Sequence, residues 1–192
     1  MSTKADHEVS CSKLIHLQPN QVHCLARTTN KHWVMINIHA GILRLATPQE
    51  QHNQDITLAF LSQAESDLFQ HPITRTLHLE AITETSFEII NYTKPNLETR
   101  DFLSEWLLEL HMIRNPRKAE QRLKALLKLL IERLGKRTAE GFKLEFLLSH
   151  ARIAEVIGTT RSTVSRSIGT LRDKGQIAFD DQKSSLTLNI SQ

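Results

Sequence analysis

Two cysteines, Cys11 and Cys24, are all that the 192 residues contain, and they do not form a CxxC pair. A disulfide framework, a zinc ribbon or a four-cysteine iron–sulfur cluster would each need more, so both read as free, buried thiols. Glycine and proline together take only eleven positions, too few for a fibrous or low-complexity chain. No apolar run approaches the roughly 18 residues needed to cross a bilayer. The first residues, Met1 to Glu8, are polar and lack the apolar centre of a secretory signal. The expectation is a soluble, cytoplasmic protein without membrane contact. Ten histidines are present, but they are scattered and make no HxH or HExxH spacing. No metal or cofactor is expected. No nucleophile–base pair and no phosphate-gripping glycine loop stands out either, so no catalytic residues are assigned and the chain does not read as an enzyme.

What is present is an ordinary core-forming composition, 40% hydrophobic and 23% charged, with length for one or two domains. The formal charge of +3 hides an asymmetry. Residues 115–192 hold 15 Lys/Arg against 8 Asp/Glu, a balance of +7, which leaves −4 for residues 1–114. A basic half beside an acidic half suits a chain with one part facing nucleic acid.

From about Leu14 to Asn91 the segments are short and rich in β-branched residues. Trp33–Ile38 and Ile42–Leu45 flank Gly41, which predicts a hairpin. Thr47 to Asp55 is polar and contains Pro48 and Asn53, so it reads as a loop. Ile56–Leu61, Arg75–Ile82 and Ser86–Ile90 alternate with strand period. Short strands at such intervals predict a barrel or sandwich. The character changes at Pro95 and Asn96, where a helix can begin. Phe102, Trp106, Leu110 and Ile113 form a stripe along it, widened by Leu103 and Leu107, and it ends before Pro116. The stripe is expected to supply a seam between two copies of the chain. A second helix, Arg117 to Leu134, stops at Gly135.

The last third carries the chemistry. Lys143–Phe146 reads as a short strand, and Ser149 caps a helix whose inward residues are Ile153, Ala154 and Ile157. Gly158 stands where a tight turn needs positive φ. Thr160 can cap the next helix, with Val164, Ile168 and Leu171 buried. Two helices joined this tightly form a helix-turn-helix. The opposite face of the second carries Arg161, Ser162, Ser165, Arg166 and Gly169. Arg161, in the first turn, can make two hydrogen bonds to guanine O6 and N7, worth about 1–3 kcal/mol of base discrimination. Ser162, Ser165 and Arg166 complete the base-reading candidates, while Ser149, Thr160 and Thr163 offer hydroxyls to phosphates. Ile177 and Phe179 lead through a turn at residues 180–185 to Leu186, Leu188 and Ile190, a returning strand. That hairpin and the strand at Lys143 make a wing.

The stretch "LSHARIAEVIGTTRSTVSRSIGTLRDKGQI", Leu148 to Ile177, resembles the CRP/FNR regulators, named after the cyclic-AMP receptor protein. The resemblance is diffuse but in order over the rest. It implies an α+β chain: an N-terminal β-roll of the cyclic-nucleotide-binding jelly-roll type over 1–95, a dimerisation helix over 96–116, and a C-terminal winged helix-turn-helix over 117–192. The family pattern of Arg, then often Glu, then Arg falls on Arg161, Ser162 and Arg166. The resemblance thus implies guanines in each half of a near-palindromic site on double-stranded DNA, read by a homodimer. Ser162 departs from the glutamate, as does the cyanobacterial nitrogen-control branch, a plausible relative. Arg75-Thr76 resembles the Arg-Ser pair that grips a cyclic nucleotide, the effector candidate here. Before it stands only "SDLFQHPIT", without the Gly-Glu pair, so cyclic-nucleotide binding is expected to be lost. RNA polymerase or a regulatory protein would be the further partner. Two competitors are a cupin-like β-barrel metalloenzyme with a helical domain, which needs clustered His/Glu ligands, and a protein-interaction module whose winged helix ignores DNA.

Overall fold

The computed structural model describes residues 10–11, 13–49, 54–63, 68–93, 101–138, 141–180 and 185–188. The chain divides into two compact units, Met1–Leu107 and Leu108–Gln192. In the first, the described strands are β1 (Ser10–Cys11), β2 (Ile15–Leu17), β3 (Val22–Leu25), β4 (Trp33–Ala40), β5 (Ile42–Gln49), β6 (Gln54–Ser62), β7 (Leu68–Gln70), β8 (Leu77–Ala81) and β9 (Thr85–Tyr92). One sheet runs β7–β4–β9, with β1 and β2 following each other along the far edge of β9. The other runs β3–β8–β5–β6, and every pairing is antiparallel. Alternation does the sorting. Val34, Ile36 and Ile38 on β4, and Leu77, Leu79 and Ala81 on β8, turn inward and are buried, as are Phe60, Phe69 and Phe87.

Gly41 is not the tip of a hairpin. β4 pairs with β9 and β7, whereas β5 pairs with β6 and β8, so Ala40-Gly41 is the corner at which the chain passes from one sheet to the other. A two-residue hairpin turn of the I′ type needs two positive-φ residues, and only Gly41, at φ +84°, supplies one here. A Cβ at Gly41 would also collide with the carbonyl oxygen of Glu84 and with Thr85. The segment Thr47–Asp55 is not a loop throughout either. β5 continues to Gln49, and β6 starts at Gln54, with Pro48 opposite Asp55. Proline is accommodated because β8 accompanies β5 only from Leu43 to Ala46, so no ladder bond is asked of Pro48 on that side.

Arg44 is fully buried on β5. Its Nη1 lies 2.6 Å from Glu80 Oε2, its Nε donates to Thr57 Oγ1 at 2.7 Å, and its Nη2 donates to the Asp55 carbonyl at 3.2 Å. Asp55 also meets His78 at 3.0 Å. A buried cation is tolerated only when paired and hydrogen-bonded, and this one is both. Cys24 is exposed, not buried, because β3 turns its side chain outward with Val22. The side chain of Cys11 lies outside the described residues.

The helix α1 (Phe102–Arg114) ends where Pro116 requires. Its start is set by Asp101, whose carboxylate accepts from the Leu103 backbone N–H at 3.1 Å and from Ser104 Oγ at 2.9 Å. Pro95 and Asn96 lie outside the described residues. The stripe Phe102, Trp106, Leu110 and Ile113 is buried within the chain itself. Trp106 packs edge-on against Phe60 at 5.8 Å and against Phe102 at 6.3 Å. The apolar residues that α1 leaves exposed are Leu107, Leu108 and Met112. No helix among the described residues is long and apolar enough to cross a membrane.

His71 is buried and stacked on His32, with ring centroids 5.1 Å apart. Its Nδ1 meets the Pro72 carbonyl at 3.0 Å, and its Nε2 has no partner among the described residues. Burial pushes its pKa below the ordinary 6.5, against the carbonyl contact, which raises it; the neighbouring His32 lowers it further. A depressed folded-state value means the unfolded chain takes up the proton first. The stability His71 contributes is therefore complete above pH 6.5 and is lost as pH falls below it. Denaturant midpoints should fall between pH 7.5 and pH 5.5, and by less in His71→Leu, which removes the titrating group.

Candidate nucleic-acid interface

The second unit contains the helices α2 (Ala119–Leu134), α3 (His150–Ile157) and α4 (Arg161–Asp173). Alongside stands a four-stranded antiparallel sheet. Its order is β10 (Lys136–Thr138), β11 (Gly141–Leu144), β13 (Ser185–Leu188), β12 (Ile177–Asp180). The wing thus gains a strand, β10, and β11 sits two residues earlier than alternation alone predicts. Residues 181–184 and Ile190 lie outside the described residues. Leu123, Leu126, Leu127 and Leu130 of α2 are buried together with Ile153, Ala154 and Ile157 of α3 and Val164, Ile168 and Leu171 of α4. α2 ends at Gly135, but not through a left-handed residue: φ is −78°, and a side chain there would strike the Ile131 carbonyl.

The helix-turn-helix begins each helix on a local side-chain cap and ends each on a local backbone turn. Ser149 Oγ accepts from the Arg152 N–H, and Thr160 Oγ1 from the Thr163 N–H, both at 3.2 Å. Gly158 has φ +64°, and the N–H of Thr159 reaches back to the Ala154 carbonyl at 2.9 Å. The same backbone pattern ends α4, where Gly175 has φ +65° and Gln176 N–H reaches the Leu171 carbonyl. The remaining carbonyls of α3 are taken by two arginines. Arg114 donates to Val156 and Glu155 at 2.8 and 2.9 Å, and Arg122 donates to Ile157 and Gly158 at 2.9 and 3.0 Å. Sequence reasoning missed both roles. An arginine that folds over a neighbouring helix end looks, in sequence, like any solvated charge.

On α4 the buried residues and the proposed readers sort cleanly. At about 100° per residue, Arg161, Ser165, Gly169, Ser162 and Arg166 span an arc of roughly 140°, centred about 120° from the buried row. Arg161, Ser162, Ser165 and Arg166 are all exposed. Arg161 and Arg166 meet no acceptor among the described residues. Other cations of the unit are engaged: Lys174 with Glu120 at 2.8 Å, Lys136 with Glu145 at 2.6 Å, Lys128 with Glu132 at 3.6 Å and Arg152 with Glu155 at 3.9 Å. The Lys174 bond holds the Glu120 carboxyl below its usual range and ties the end of α4 to the start of α2. Thr160, Ser162 and Thr163 form one hydroxyl cluster, with Oγ distances of 3.0 and 2.9 Å from Thr160. Ser149 stands apart at the head of α3. Ser165 instead meets His150, Nδ1 to Oγ 2.8 Å. The effector candidates lie in the other unit: Arg75 is exposed, and the Thr76 carbonyl accepts from Thr47 Oγ1 at 3.1 Å. No group of three or more potential metal ligands exists among the described residues.

Comparison with known proteins gives a consistent answer. Residues 103–190 match the Crp-like helix-turn-helix domain family. The regulatory protein CysR of Synechococcus elongatus is 31% identical over 155 residues, spanning 78% of this chain and 74% of that protein. A global nitrogen regulator of Nostoc is 32% identical over 133 residues, covering 66% of this chain and 59% of the relative. Among solved structures, FixK2 of Bradyrhizobium japonicum superposes with a TM-score of 0.65 at 17% identity, over 92% of both chains. A CRP-family transcriptional regulator of Thermus thermophilus gives 0.60 at 16% identity, over 91% of both.

The two classes of arginine should separate in a stability measurement. Arg122→Met removes a donor from two carbonyls and should cost about 1–3 kcal/mol, toward the low end because Arg122 Nε is itself buried without an acceptor among the described residues. Arg161→Ala should leave the thermal midpoint within the range of a surface change, about 0.5 kcal/mol.

Proposed function

The chain belongs to the CRP/FNR family of DNA-binding transcription regulators, and from that premise we propose that it reads a near-palindromic operator as a homodimer. α4 lies in the major groove of each half-site. The observation that carries this reading is the pair Arg161 and Arg166, exposed on one arc and free of acceptors among the described residues, on a unit whose other cations are largely engaged. Arg161 in the first turn reaches the edge of a guanine, and Arg166 follows about 7.5 Å along the axis, roughly two base-pair steps. Ser162 is too short for the bidentate reach of a longer side chain and contributes through the hydroxyl cluster it shares with Thr160 and Thr163. Those hydroxyls, with Ser149, face phosphates.

A two-fold operator about 34 Å between half-site centres needs a two-fold dimer. The buried stripe on α1 is spent inside the chain, so the seam falls to Leu107, Leu108 and Met112, the large apolar residues that the helix leaves in solvent. Cyclic-nucleotide binding is lost in this reading. Arg75 stands exposed without the Gly-Glu pair before it, and Arg44, the one fully buried cation among the described residues, is already neutralised by Glu80. Control then comes from a regulatory protein, from RNA polymerase contact, or from the amount of protein present.

Selection of duplexes from a random pool near 150 mM salt, with the ligand-free protein, should return a two-fold motif with guanines in each half. Arg161→Ala should relax preference at one base pair per half-site by about 1–3 kcal/mol while leaving the rest of the motif intact. A pool with no enriched motif refutes the reading. Leu108→Glu combined with Met112→Glu should yield a monomer in light scattering. That monomer should keep half-site binding and lose most affinity for the full operator.

A further inference from the structure

His150 and Ser165 are fifteen residues apart in sequence and belong to different helices, yet His150 Nδ1 lies 2.8 Å from Ser165 Oγ. His150 is the first residue of α3, and its ring is half-buried. It lines an apolar cavity of about 190 Å³ with Leu127, Leu148, Ile153 and Ile168. With its ring half-buried and its Nδ1 engaged, the imidazole has less freedom than a side chain fully in solvent. Ser165, by contrast, is exposed in the middle of the arc that carries Arg161 and Arg166. A free serine hydroxyl on a helix surface samples several rotamers and turns its proton toward whatever is nearby. Such a group discriminates poorly between bases.

We infer that His150 is a positioning residue for sequence reading: it holds Ser165 in one rotamer with one hydrogen-bonding polarity, which turns a promiscuous hydroxyl into a base-selective contact. The inference rests on the proposal that α4 lies in the major groove. The chemistry is that of a single proton shared by two atoms. When Ser165 donates to Nδ1, its oxygen faces the groove as an acceptor and suits the amino group of adenine or cytosine. When Nδ1–H donates instead, the serine proton is free for an acceptor on guanine or thymine. Which of the two atoms holds the proton thus sets what Ser165 can read, and His150 does so without touching DNA bases itself. Holding the group in place before binding also spares the ordering of that side chain at the interface.

The test is the same duplex selection, run on wild type, Ser165→Ala, His150→Ala, His150→Asn and the double variant with both positions alanine. Wild type should show a preference at one base pair per half-site beyond those assigned to the arginines, and Ser165→Ala should erase it. His150→Ala should erase the same preference, about fivefold or more, with affinity for random-sequence DNA changed by less than about threefold. The double variant should be no worse at that base pair than either single change, because the two residues act as a unit. His150→Asn keeps a polar atom near the Nδ1 position and should restore part of the preference. The proposal is overturned if His150→Ala weakens all sequences equally and leaves the Ser165-dependent preference standing, the outcome of a phosphate contact. It is equally overturned if Ser165→Ala changes no base preference. A wild-type protein that selects no motif would sink the DNA reading, and this assignment with it; a motif that survives in every variant sinks this assignment alone.

Discussion

The geometry of the reading head depends on how the carbonyl end of α3 is closed. A helix that stops inside a protein leaves four carbonyls without intrahelical partners, and water does not reach all of them. Here the turn at Gly158 serves Ala154 and Glu155 through the backbone, while Arg114 and Arg122 donate to the carbonyls from Glu155 to Gly158. The positive φ at Gly158 bends the chain sharply into α4, and the two guanidinium groups fix that bend from outside the motif. The first turn of α4, with Arg161, follows from there. Two positively charged groups set against the negative end of the α3 dipole are also electrostatically well placed.

That constraint changes how the charge of the second unit should be understood. A balance of +7 over residues 115–192 suggests a broad basic surface. Much of it is used internally: Arg122 closes a helix, and Lys174, Lys136, Lys128 and Arg152 sit beside carboxylates. Exposed pairs of this kind contribute little to stability, but they remove cations from the pool that phosphates can recruit. Of the cations without an acceptor among the described residues, Arg161 and Arg166 are the two that share the outward arc of α4. In the first unit the corresponding case is Arg44, a cation wholly absorbed by Thr57, Glu80 and Asp55.

The helix-turn-helix was legible because its determinants are local. Ser149, Gly158, Thr160 and the row Val164, Ile168, Leu171 each act within one turn of chain, and all fell where spacing put them. The order of strands, then helix, then winged head was legible for the same reason. What failed was nonlocal. Whether Gly41 ends a hairpin or turns a corner depends on which strands β4 and β5 choose as partners, and those lie dozens of residues away. Pro48 stays in a strand because β8 stops short of it. The stripe Phe102–Ile113 was visible as a stripe, but periodicity does not say what covers it, and Trp106 proved to sit on Phe60 of the same chain. Arg122 offered no signal, since its partner is a backbone atom 35 residues away.

The twin glycine closures of α3 and α4 have a consequence for divergence. Both helices end on backbone hydrogen bonds around a left-handed glycine, and α4 is anchored by three buried aliphatic residues. Its outward arc therefore carries almost none of the folding free energy. Relatives that share the glycines and the aliphatic row can exchange the residues at 161, 162, 165, 166 and 169 with little penalty to the fold. Target repertoires can then drift while the scaffold stays put, and the tie from His150 to Ser165 is where such drift would need two changes instead of one.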